Sequence, residues 1–390
     1  MSWKELTCVV RRLKFVKLVL KAQQSMSQVC RRFGMSRKSG YKWIGRFERE
    51  GPRGLCNRSC RPKHSPRQIS AIWRRRIGAL RRRHRSWGSR KLAARLRKDY
   101  PRQKVPGART IGKWLKRMKL SRGPRRRSAQ GAQVRAAALT VARRSNQVWT
   151  VDFKGWFRTG DGQRVEPLTV RDLFSRNVLS VRLLPDQSWQ RTRRVFLGLF
   201  AKYGYPTVIR TDNGSPFGSK GPAGLTKLSA WWTALGIGVE FIAPGRPGQN
   251  GGHEQMHRVL KAETTCRPSR HRRAQQRRMD RWLKIYNWIR PHESLGQRVP
   301  GEVYRSKAQG SRRVRLSYRQ GWEVRRVRRN GEIKWKGRMR FVGEAFVGYP
   351  IGLKGKGRGK QEVYFGRILI GELRDSDPGG IRPARYVRSS

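Results

Sequence analysis

The chain is poor in acidic residues, in cysteine and in long apolar stretches. Its 390 residues include 23 Asp or Glu and five Cys. So few cysteines in a chain of this length do not make the disulfide framework of a small secreted domain. The longest apolar stretch near the start, residues 15–20, is too short and too charged for a signal peptide or a membrane-spanning helix. These absences predict a soluble, intracellular protein.

The scarcity of acids contrasts with 93 Lys and Arg, and the formal net charge is +70. Charged residues make up 30% of the chain, close to the roughly 25% of ordinary globular proteins, so the unusual property is the sign of the charge. A surface this basic repels itself and calls for a polyanion, of which nucleic acid is the most obvious. The length predicts two or three domains, and 14 Trp and 13 Phe are enough for their cores.

The first helices of the chain form a recognisable motif. Apolar residues recur at helical spacing over residues 4–22, a short helix starts at Ser27, Gly34 breaks it, and Ser36 caps a third helix. Helix, glycine turn and helix at this length are typical of a helix-turn-helix unit. A three-helix bundle that binds nothing is the alternative, which the charge disfavours. The basic residues that the second helix of the motif would carry into a DNA groove are Arg37, Lys38 and Lys42.

A second helical block follows a linker of Pro, Gly and basic residues at 51–66. Apolar residues mark three more helices, the last of them after the turn signal at residues 106–107. The block is interpreted as a second, differently spaced helix-turn-helix unit, in which Arg109 and Lys113 are candidates for contacting DNA. Residues 121–146 are a basic, alanine-rich connector with little helical tendency.

From Val148 onward the pattern changes to short strands. Three strand candidates are followed by helix, strand, helix and strand, which predicts a mixed α/β sheet covered by helices. Residues 311–375 contain short strands split by glycine and predict a small β-barrel. The start of this barrel is rich in arginine, including Arg325 and Arg326, and a surface for phosphate backbones explains this better than a solvated charge run.

Three of the scarce acids stand at informative positions. Asp152 lies inside the apolar strand at residues 148–153, where an unpaired carboxylate is costly to bury. Asp212 follows the strand at residues 208–211, and Glu254 stands near the start of a helix after a glycine-rich loop. Because strand-borne carboxylates on one sheet can face each other, they can bind hard cations through their oxygens.

The segments around these acids resemble those of the integrase-core transposases of bacterial insertion sequences. The similar segments are residues 149–153 (WTVDF), 210–214 (RTDNG) and 247–257 (PGQNGGHEQMH), with residues 286–287 (YN), 290–292 (RPH), Leu295 and Pro300 resembling the helix and exit loop after the core. The resemblance covers most of the chain and is specific only at the three acid motifs. The separation of Asp212 from Glu254 exceeds that of retroviral integrases, and residues 217–228 are predicted as a loop that absorbs the excess. Helix-turn-helix units replace the zinc-binding integrase N-terminus.

The resemblance implies a ribonuclease-H-like fold and two-metal phosphoryl transfer. Asp152, Asp212 and Glu254 would bind two Mg²⁺ or Mn²⁺ ions and catalyse the cleavage of element ends and the transfer of 3′ ends into target DNA. Candidates for supporting this site or for contacting DNA are Asn213, Asn250 and His253. The implied partners are double-stranded DNA, as terminal inverted repeats and as target, and at least one further copy of the chain, because each DNA end needs an active site. The implied location is the bacterial cytoplasm, at the nucleoid.

Two other functions compete with this interpretation. Residues 253–257 (HEQMH) match the zinc-protease pattern H-E-x-x-H, but no third ligand is evident and a protease explains neither the charge nor the other acid motifs. A catalytically inactive DNA-binding regulator derived from such a transposase is the second alternative. The three intact acid motifs argue against it.

The predicted protein is therefore multidomain, with two N-terminal all-α helix-turn-helix units, an α/β ribonuclease-H-like catalytic core and a C-terminal small β-barrel. The predicted boundaries are 1–50 and 67–120 for the helical units, 51–66 for the linker, 121–146 for the connector, 147–306 for the core, 311–375 for the barrel and 376–390 for a basic tail.

Overall fold

The structure is a computed structural model that describes residues 3–60, 69–121, 139–243, 251–306, 312–313, 316–357 and 359–384. The chain divides into two compact units, Met1–Ile69 and Ser70–Ser390, and each has apolar cores of its own. A search of the described residues finds no helix with the length and apolar character needed to cross a bilayer.

The first unit is a bundle of three helices. They are α1 (Trp3–Leu20), α2 (Met26–Arg32) and α3 (Arg37–Glu50), followed by a 3₁₀ turn at Gly51–Leu55. The Ser25 hydroxyl caps α2 by accepting from the Gln28 N–H, and the Ser36 hydroxyl caps α3 by accepting from the Ser39 N–H. The buried core consists of Phe15, Val16, Val29, Cys30 and Leu55. The predicted helix-turn-helix is confirmed, although α2 is capped by Ser25 and does not start at Ser27.

The second unit begins with another group of three helices. They are α4 (Ala71–Arg83), α5 (Ser89–Asp99) and α6 (Ala108–Arg117). Their shared core contains Ile77, Trp87, Leu92, Leu96, Ile111 and Leu115. Polar contacts attach this group to the domain that follows: the Arg290 guanidinium donates to the Ser86 hydroxyl at 3.2 Å and to the Glu263 carboxylate at 3.1 Å.

The central domain is a mixed sheet covered by helices, as predicted. Its strands are β1 (Val148–Phe153), β2 (Phe157–Arg158), β3 (Arg164–Asp172), β4 (Val178–Leu184), β5 (Val208–Thr211) and β6 (Gly238–Phe241). Strand β1 pairs antiparallel with β3 and parallel with β5, and the sheet runs β4-β3-β1-β5-β6, with β2 on β3. Three antiparallel strands followed by two parallel ones are the arrangement expected of a ribonuclease-H-like core.

Five helices accompany this sheet within the described residues. They are α7 (Trp189–Tyr203), α8 (Lys227–Ala234), α9 (Gly251–Leu260), α10 (Arg272–Trp288) and α11 (Pro300–Val303), with a π-helical turn at Lys261–Thr265 and 3₁₀ turns at Pro222–Gly224 and Glu293–Leu295. Helix α10 covers the edge strand β4. There the Asn287 side chain accepts from the Val178 N–H at 2.9 Å and donates to the Val178 carbonyl at 2.8 Å, so it satisfies backbone groups that an edge strand leaves unpaired.

The C-terminal part is a small β domain. Its strands are β7 (Glu323–Arg326), β8 (Glu332–Trp335), β9 (Arg338–Phe341), β10 (Pro350–Gly355), β11 (Lys360–Phe365), β12 (Ile368–Arg374) and β13 (Arg382–Pro383), with a 3₁₀ turn at Glu344–Phe346. One sheet runs β13-β12-β11-β10-β7 and β8 pairs with β9. In the described part of this domain no pairing closes the sheet, so the predicted barrel is confirmed only as a β domain.

The loop predicted to absorb the extra separation between Asp212 and Glu254 packs against this β domain. The Ala223 N–H, in the 3₁₀ turn of that loop, donates to the Ala384 carbonyl at 3.3 Å. Apolar residues from both the central and the C-terminal sheet belong to one continuous core, and other apolar residues of β3 and β4 form a second core with α9 and α10.

Candidate active site

Asp152 and Asp212 lie at the carboxyl ends of two neighbouring parallel strands. The register of β1 and β5 pairs Thr150 with Arg210. Continued by two residues, that register sets Asp152 beside Asp212, and the two-residue alternation of strand side chains keeps Asp152 on the face that Thr150 occupies.

Glu254 approaches the same place from the first turn of α9. This helix lies on the Thr150 face of the sheet, because His253 Nδ1 is 2.9 Å from the Thr150 hydroxyl. The negative charges of Asp212 and of Glu254 both raise the pKa of Asp152. Asp152 and Asp212 therefore lie on adjacent strands, and Glu254 lies on the helix packed on the same face of the sheet. Among the described residues, the ligand atoms found within 4.8 Å of one another are those of Asp152, His253 and His257, and not those of the three carboxylates.

Burial and mutual repulsion make the charged form of this site costly. Burial raises the pKa of Asp152 to about 7, Asp212 and Glu254 add to the shift, and Lys154 opposes it. Burial also raises the pKa of Asp212, against the hydrogen bond from the Gly214 N–H. Neighbouring carboxylates with raised pKa values are typical of functional sites, and a bound cation would relieve their repulsion.

The acids of this site form no ion pair with Lys or Arg among the described residues, although the charge of Lys154 lowers the pKa of Asp152. Most other acidic side chains of the described residues form ion pairs with Lys or Arg. Within the same ranges Asp152, Asp212 and Glu254 form none, and Asp152 instead faces the His257 imidazole, with Nδ1 3.6 Å from Oδ2. In a protein with a net charge of +70, acids without a Lys or Arg partner can bind a cation from solution.

A buried arginine holds the start of α9 against the sheet. Arg171, on β3, donates through Nη1 to the Gly252 carbonyl and is almost completely buried. A Cβ on Gly252 would lie 2.7 Å from guanidinium nitrogens of both Arg171 and Arg176, so a side chain at this position would require the two guanidinium groups to shift. The contact fixes the helical turn that carries Glu254.

Two buried histidines lie beneath the carboxylates. His253 is 0% exposed and its Nε2 is 2.6 Å from the Thr169 hydroxyl, which is also 2.7 Å from His257 Nε2. Burial lowers the pKa of His253 well below its usual range, and burial with Lys154 and Arg171 lowers that of His257 to about 3. Both imidazoles are therefore neutral. The expectation that His253 contacts DNA is wrong for this structure, since its side chain has no exposed surface, and a supporting role remains.

The H-E-x-x-H pattern does not form a zinc-protease site. In such a site both imidazoles turn toward one metal, whereas here both Nε2 atoms turn toward the Thr169 hydroxyl. Asp152, His253 and His257 do offer ligand atoms within 4.8 Å of one another. Both ring nitrogens of His253 are, however, occupied by hydrogen bonds.

The helical candidates for DNA contact lie on exposed faces. Arg37, Lys38 and Lys42 are exposed on α3, as are Arg109 and Lys113 on α6. Arg37, Lys38, Lys42 and Arg109 lie in the first half of their helices, which is the part that a recognition helix presents to the major groove, and Lys113 is one residue past the middle of α6.

The remaining candidates have different surroundings. Asn213 is exposed, and its amide donates to the Ile242 carbonyl at 2.8 Å, which ties the end of β5 to the end of β6. Asn250 lies outside the described residues. Arg325 and Arg326 are exposed on β7, the end strand of its sheet, and Arg325 pairs with Glu323.

Several residues of the site were not singled out by the sequence. Thr150, Thr169 and Arg171 are buried polar residues that support the carboxylates or α9, and so is His257, which the sequence indicated only as part of the H-E-x-x-H pattern. One available signal was the spacing of Thr150 and Asp152, two polar residues on the same face of an otherwise apolar strand. Their partners on β3 and α9 are distant in sequence and no local pattern indicates them.

Similarities to solved structures concern the integrases of retroviruses. The magnesium-bound catalytic core domain of HTLV-2 integrase, in its trimeric form, is 17% identical, with a TM-score of 0.34 over 42% of this chain and 100% of that chain. The simian T-cell lymphotropic virus intasome in complex with the PP2A regulatory subunit B56 gamma is 15% identical, with a TM-score of 0.37 over 69% of this chain and 91% of that chain.

Two curated relatives are insertion-element proteins. The IS407 uncharacterized 31.7 kDa protein of Burkholderia multivorans (strain ATCC 17616 / 249) is 30% identical over 185 residues, which are 46% of this chain. The chain spans 62% of the length of that relative. The IS476 uncharacterized 39.2 kDa protein of Xanthomonas euvesicatoria is 27% identical over 250 residues, 64% of this chain and 69% of the relative.

Family profiles match most parts of the chain. Two integrase core domain profiles match residues 142–247 and 235–300, a helix-turn-helix domain matches 11–63 and a homeodomain-like domain matches 39–115. The C-terminal domain of the IS481 family transposases matches residues 322–375. The chain is therefore similar to the insertion-sequence transposases that are built on the integrase core domain.

Proposed function

We propose that this chain binds the terminal repeats of its element, cleaves DNA there and transfers the 3′ ends into target DNA. The residues proposed to catalyse both steps are Asp152, Asp212 and Glu254, with two Mg²⁺ or Mn²⁺ ions. The observation that carries the proposal is the register that sets Asp152 beside Asp212 at the carboxyl ends of β1 and β5, with Glu254 in the first turn of the helix packed on the same face.

The residues fit hard divalent cations. Carboxylate oxygens are the ligands that Mg²⁺ prefers. Burial, and after it the charge of Asp212, raises the pKa of Asp152, and a bound cation would stabilise the charged carboxylate against both. When bound, the two ions would activate a water or a 3′-hydroxyl and stabilise the leaving oxygen. The chain itself orients the ligands: the Gly214 N–H donates to Asp212 Oδ1 at 3.2 Å, and Arg171 holds the turn of Glu254.

The test is cleavage and strand transfer on a supercoiled plasmid that carries both flanking ends of the element. Reactions contain Mg²⁺, Mn²⁺ or a chelator, and wild type is compared with Asp212→Asn. We expect metal-dependent nicking and joining that the variant lacks, while both proteins bind the ends. If both bind DNA on paired ends and neither yields a metal-dependent product, the regulator alternative replaces the transposase.

We further propose that DNA recognition is divided between the helices and the β domain. Exposed Arg37 and Lys42 on α3, and Arg109 and Lys113 on α6, would reach base edges of the terminal repeat. Exposed Arg325 and Arg326 on β7 would contact phosphates, which carry no sequence information.

Competition binding separates these roles. Arg37→Ala with Lys42→Ala should lower the preference for terminal repeats over random duplex, whereas Arg325→Ala with Arg326→Ala should weaken both equally. The Arg325→Ala, Arg326→Ala variant should also bind DNA with a weaker salt dependence. The slope of log affinity against log salt concentration should fall by about 0.9 for each phosphate that the variant no longer neutralises. Equal effects of the two pairs on specificity would contradict the division.

The proposed partners follow from the same reasoning. One active site per DNA end makes at least a dimer on paired ends the working complex. A net charge of +70 favours long-range attraction to DNA, and the proposed place of action is the bacterial nucleoid. Light scattering of the complex with paired ends, compared with a single end, tests the number of copies.

A further inference from the structure

The Thr169 hydroxyl is the centre of a buried polar cluster behind Asp152. Its oxygen lies 2.9 Å from the Asp152 backbone carbonyl, 2.6 Å from His253 Nε2 and 2.7 Å from His257 Nε2. A hydroxyl donates one hydrogen bond and accepts two. Because the carbonyl can only accept, the Thr169 proton is donated to it, and both imidazoles must donate to the Thr169 oxygen from Nε2.

This hydrogen-bond pattern fixes the tautomer of both histidines. Each carries its proton on Nε2, and Nδ1 of each neutral ring holds a free lone pair. For His253 the Thr150 hydroxyl lies 2.9 Å from Nδ1 and 3.4 Å from the Arg171 carbonyl, and with Nε2 protonated it donates its proton to the nearer acceptor, Nδ1. His253 is then fully satisfied and has no ligand atom to offer.

His257 differs from His253 in what its Nδ1 faces. Nδ1 of His257 lies 3.6 Å from Oδ2 of the Asp152 carboxylate. Two acceptors that face each other in a buried place repel unless a cation or a proton lies between them. Ligand atoms bound to one ion at about 2.1 Å lie roughly 3 to 4 Å apart, so the observed separation suits a shared metal.

We propose that His257, through Nδ1, is a further ligand of the metal ion that Asp152 binds. The inference rests on the proposed function and adds a nitrogen to a site otherwise made of carboxylate oxygens. Imidazole favours transition metals over magnesium. The ligand set therefore predicts that this ion site prefers Mn²⁺ to Mg²⁺ more strongly than three carboxylates alone would.

The test is pulsed electron paramagnetic resonance of Mn²⁺ added to the full chain labelled with ¹⁵N-histidine. A histidine nitrogen bound to Mn²⁺ gives a hyperfine coupling that is independent of catalysis. We expect the ¹⁵N coupling in wild type and its loss in His257→Gln, whose amide nitrogen can still donate to Thr169 while Nδ1 is gone. His253→Gln is the matched control and should keep the coupling.

Metal affinity provides a second readout on the same proteins. We expect His257→Gln to weaken Mn²⁺ binding about tenfold or more, and Mg²⁺ binding only a few-fold. His257→Asn places an amide oxygen near the Nδ1 position, and we expect it to restore most of the Mn²⁺ affinity without the nitrogen coupling. Equal losses for both metals in His257→Gln would overturn the proposal.

The wild-type spectrum decides the question even if a variant does not fold. Bound Mn²⁺ without a histidine coupling overturns the ligand assignment, and a coupling that survives in folded His257→Gln does the same. The proposed function is judged separately, by plasmid cleavage. Metal-dependent cleavage together with a spectrum that lacks histidine coupling would leave the transposase intact and remove His257 from its metal site.

Discussion

The second unit uses its scarce acids in two opposite ways. Where α4–α6 meet the central domain, acids are paired: Glu263 with Arg290, Glu293 with Arg90 and Glu302 with Lys98. At the carboxyl ends of β1 and β5 the acids face one another and lack such partners among the described residues. The paired acids hold two parts of the chain together. The unpaired acids repel one another, and a bound cation can relieve that repulsion. We therefore expect substitutions of the paired acids to lower stability, and substitutions of the unpaired acids to lower activity.

The largest expected effect is on catalysis. Glu254→Gln keeps the size of the side chain and removes a charged ligand, and we expect DNA cleavage in Mg²⁺ to fall about 10³-fold. The measurement is the initial rate of nicking on a paired-end plasmid at saturating protein. Glu302→Gln, at an exposed ion pair with Lys98, is the control and should cleave within about twofold of wild type. Comparable losses in both variants would erase the distinction between the two groups of acids.

The next largest effect is on folding at the paired region. Glu263 accepts from Arg290 at 3.1 Å and from the Trp282 indole N–H at 2.8 Å, and it also accepts from the Ser86 hydroxyl. The Arg290 side chain is 6% exposed, so Glu263→Gln leaves a buried cation without its counter-charge. We expect the free energy of unfolding to fall by about 2–3 kcal/mol, measured by urea denaturation. Cleavage at a temperature where the variant is folded should persist; its complete loss there would mean that Glu263 also acts in the active site.

A third effect has the opposite sign and depends on pH. The folded pKa of Asp152 is about 7, above its unfolded value of about 3.9. Its contribution to stability is therefore fully present below about pH 4 and is lost as the pH rises through 7. The Asn side chain of Asp152→Asn cannot ionise, so in chelator the variant should not lose this contribution. Its free energy of unfolding should therefore exceed that of wild type by an amount that grows from pH 4 to pH 8, to on the order of 2 kcal/mol.

An acid with a lowered pKa gives the matched control for this pH dependence. The hydrogen bond from Arg382 lowers the pKa of Asp377, so its contribution is present above about pH 4 and is lost as the pH falls. Asp377→Asn should therefore lose stability relative to wild type at pH 8. Thermal melts of both variants over the same pH series check the two signs. If the melting temperatures of both variants changed with pH in the same direction, relative to wild type, the two opposite signs expected here would be contradicted.

The sequence predicted best what is local. Strands β1 and β5 coincide with the predicted strands at residues 148–153 and 208–211 because each is a short apolar run, and an acid within or directly after such a run points to a site. Strand β10 contains Gly352 and Gly355, in a segment that the sequence describes as short strands split by glycine. A Cβ on Gly352 would lie 2.3 Å from the Tyr318 ring, so this glycine makes room for an aromatic side chain inside a strand.

The supporting cluster could not be predicted for a different reason. His253 and Thr150 are hydrogen-bonded across more than a hundred residues of sequence, and an exposed or a buried histidine looks the same in a single sequence. The expectation that His253 contacts DNA came from its place in a motif, and only the packing of α9 on β1 and β3 shows that it is enclosed. Burial, unlike strand or helix tendency, is decided by contacts distant along the chain.

The smallest expected effect is at an exposed ion pair between α5 and the central domain. Arg90 and Glu293 form an ion pair with each other, and their side chains are 72% and 59% exposed. An exposed pair contributes little to stability because water and salt screen it. Glu293→Gln should change the free energy of unfolding by less than about 0.5 kcal/mol, with cleavage unchanged. Urea denaturation at low and moderate salt, run beside Glu263→Gln, is the check. A loss as large as that of Glu263→Gln would mean that charge alone attaches α4–α6 to the central domain, whereas the small value expected here assigns that attachment to the buried Arg290 and its partners.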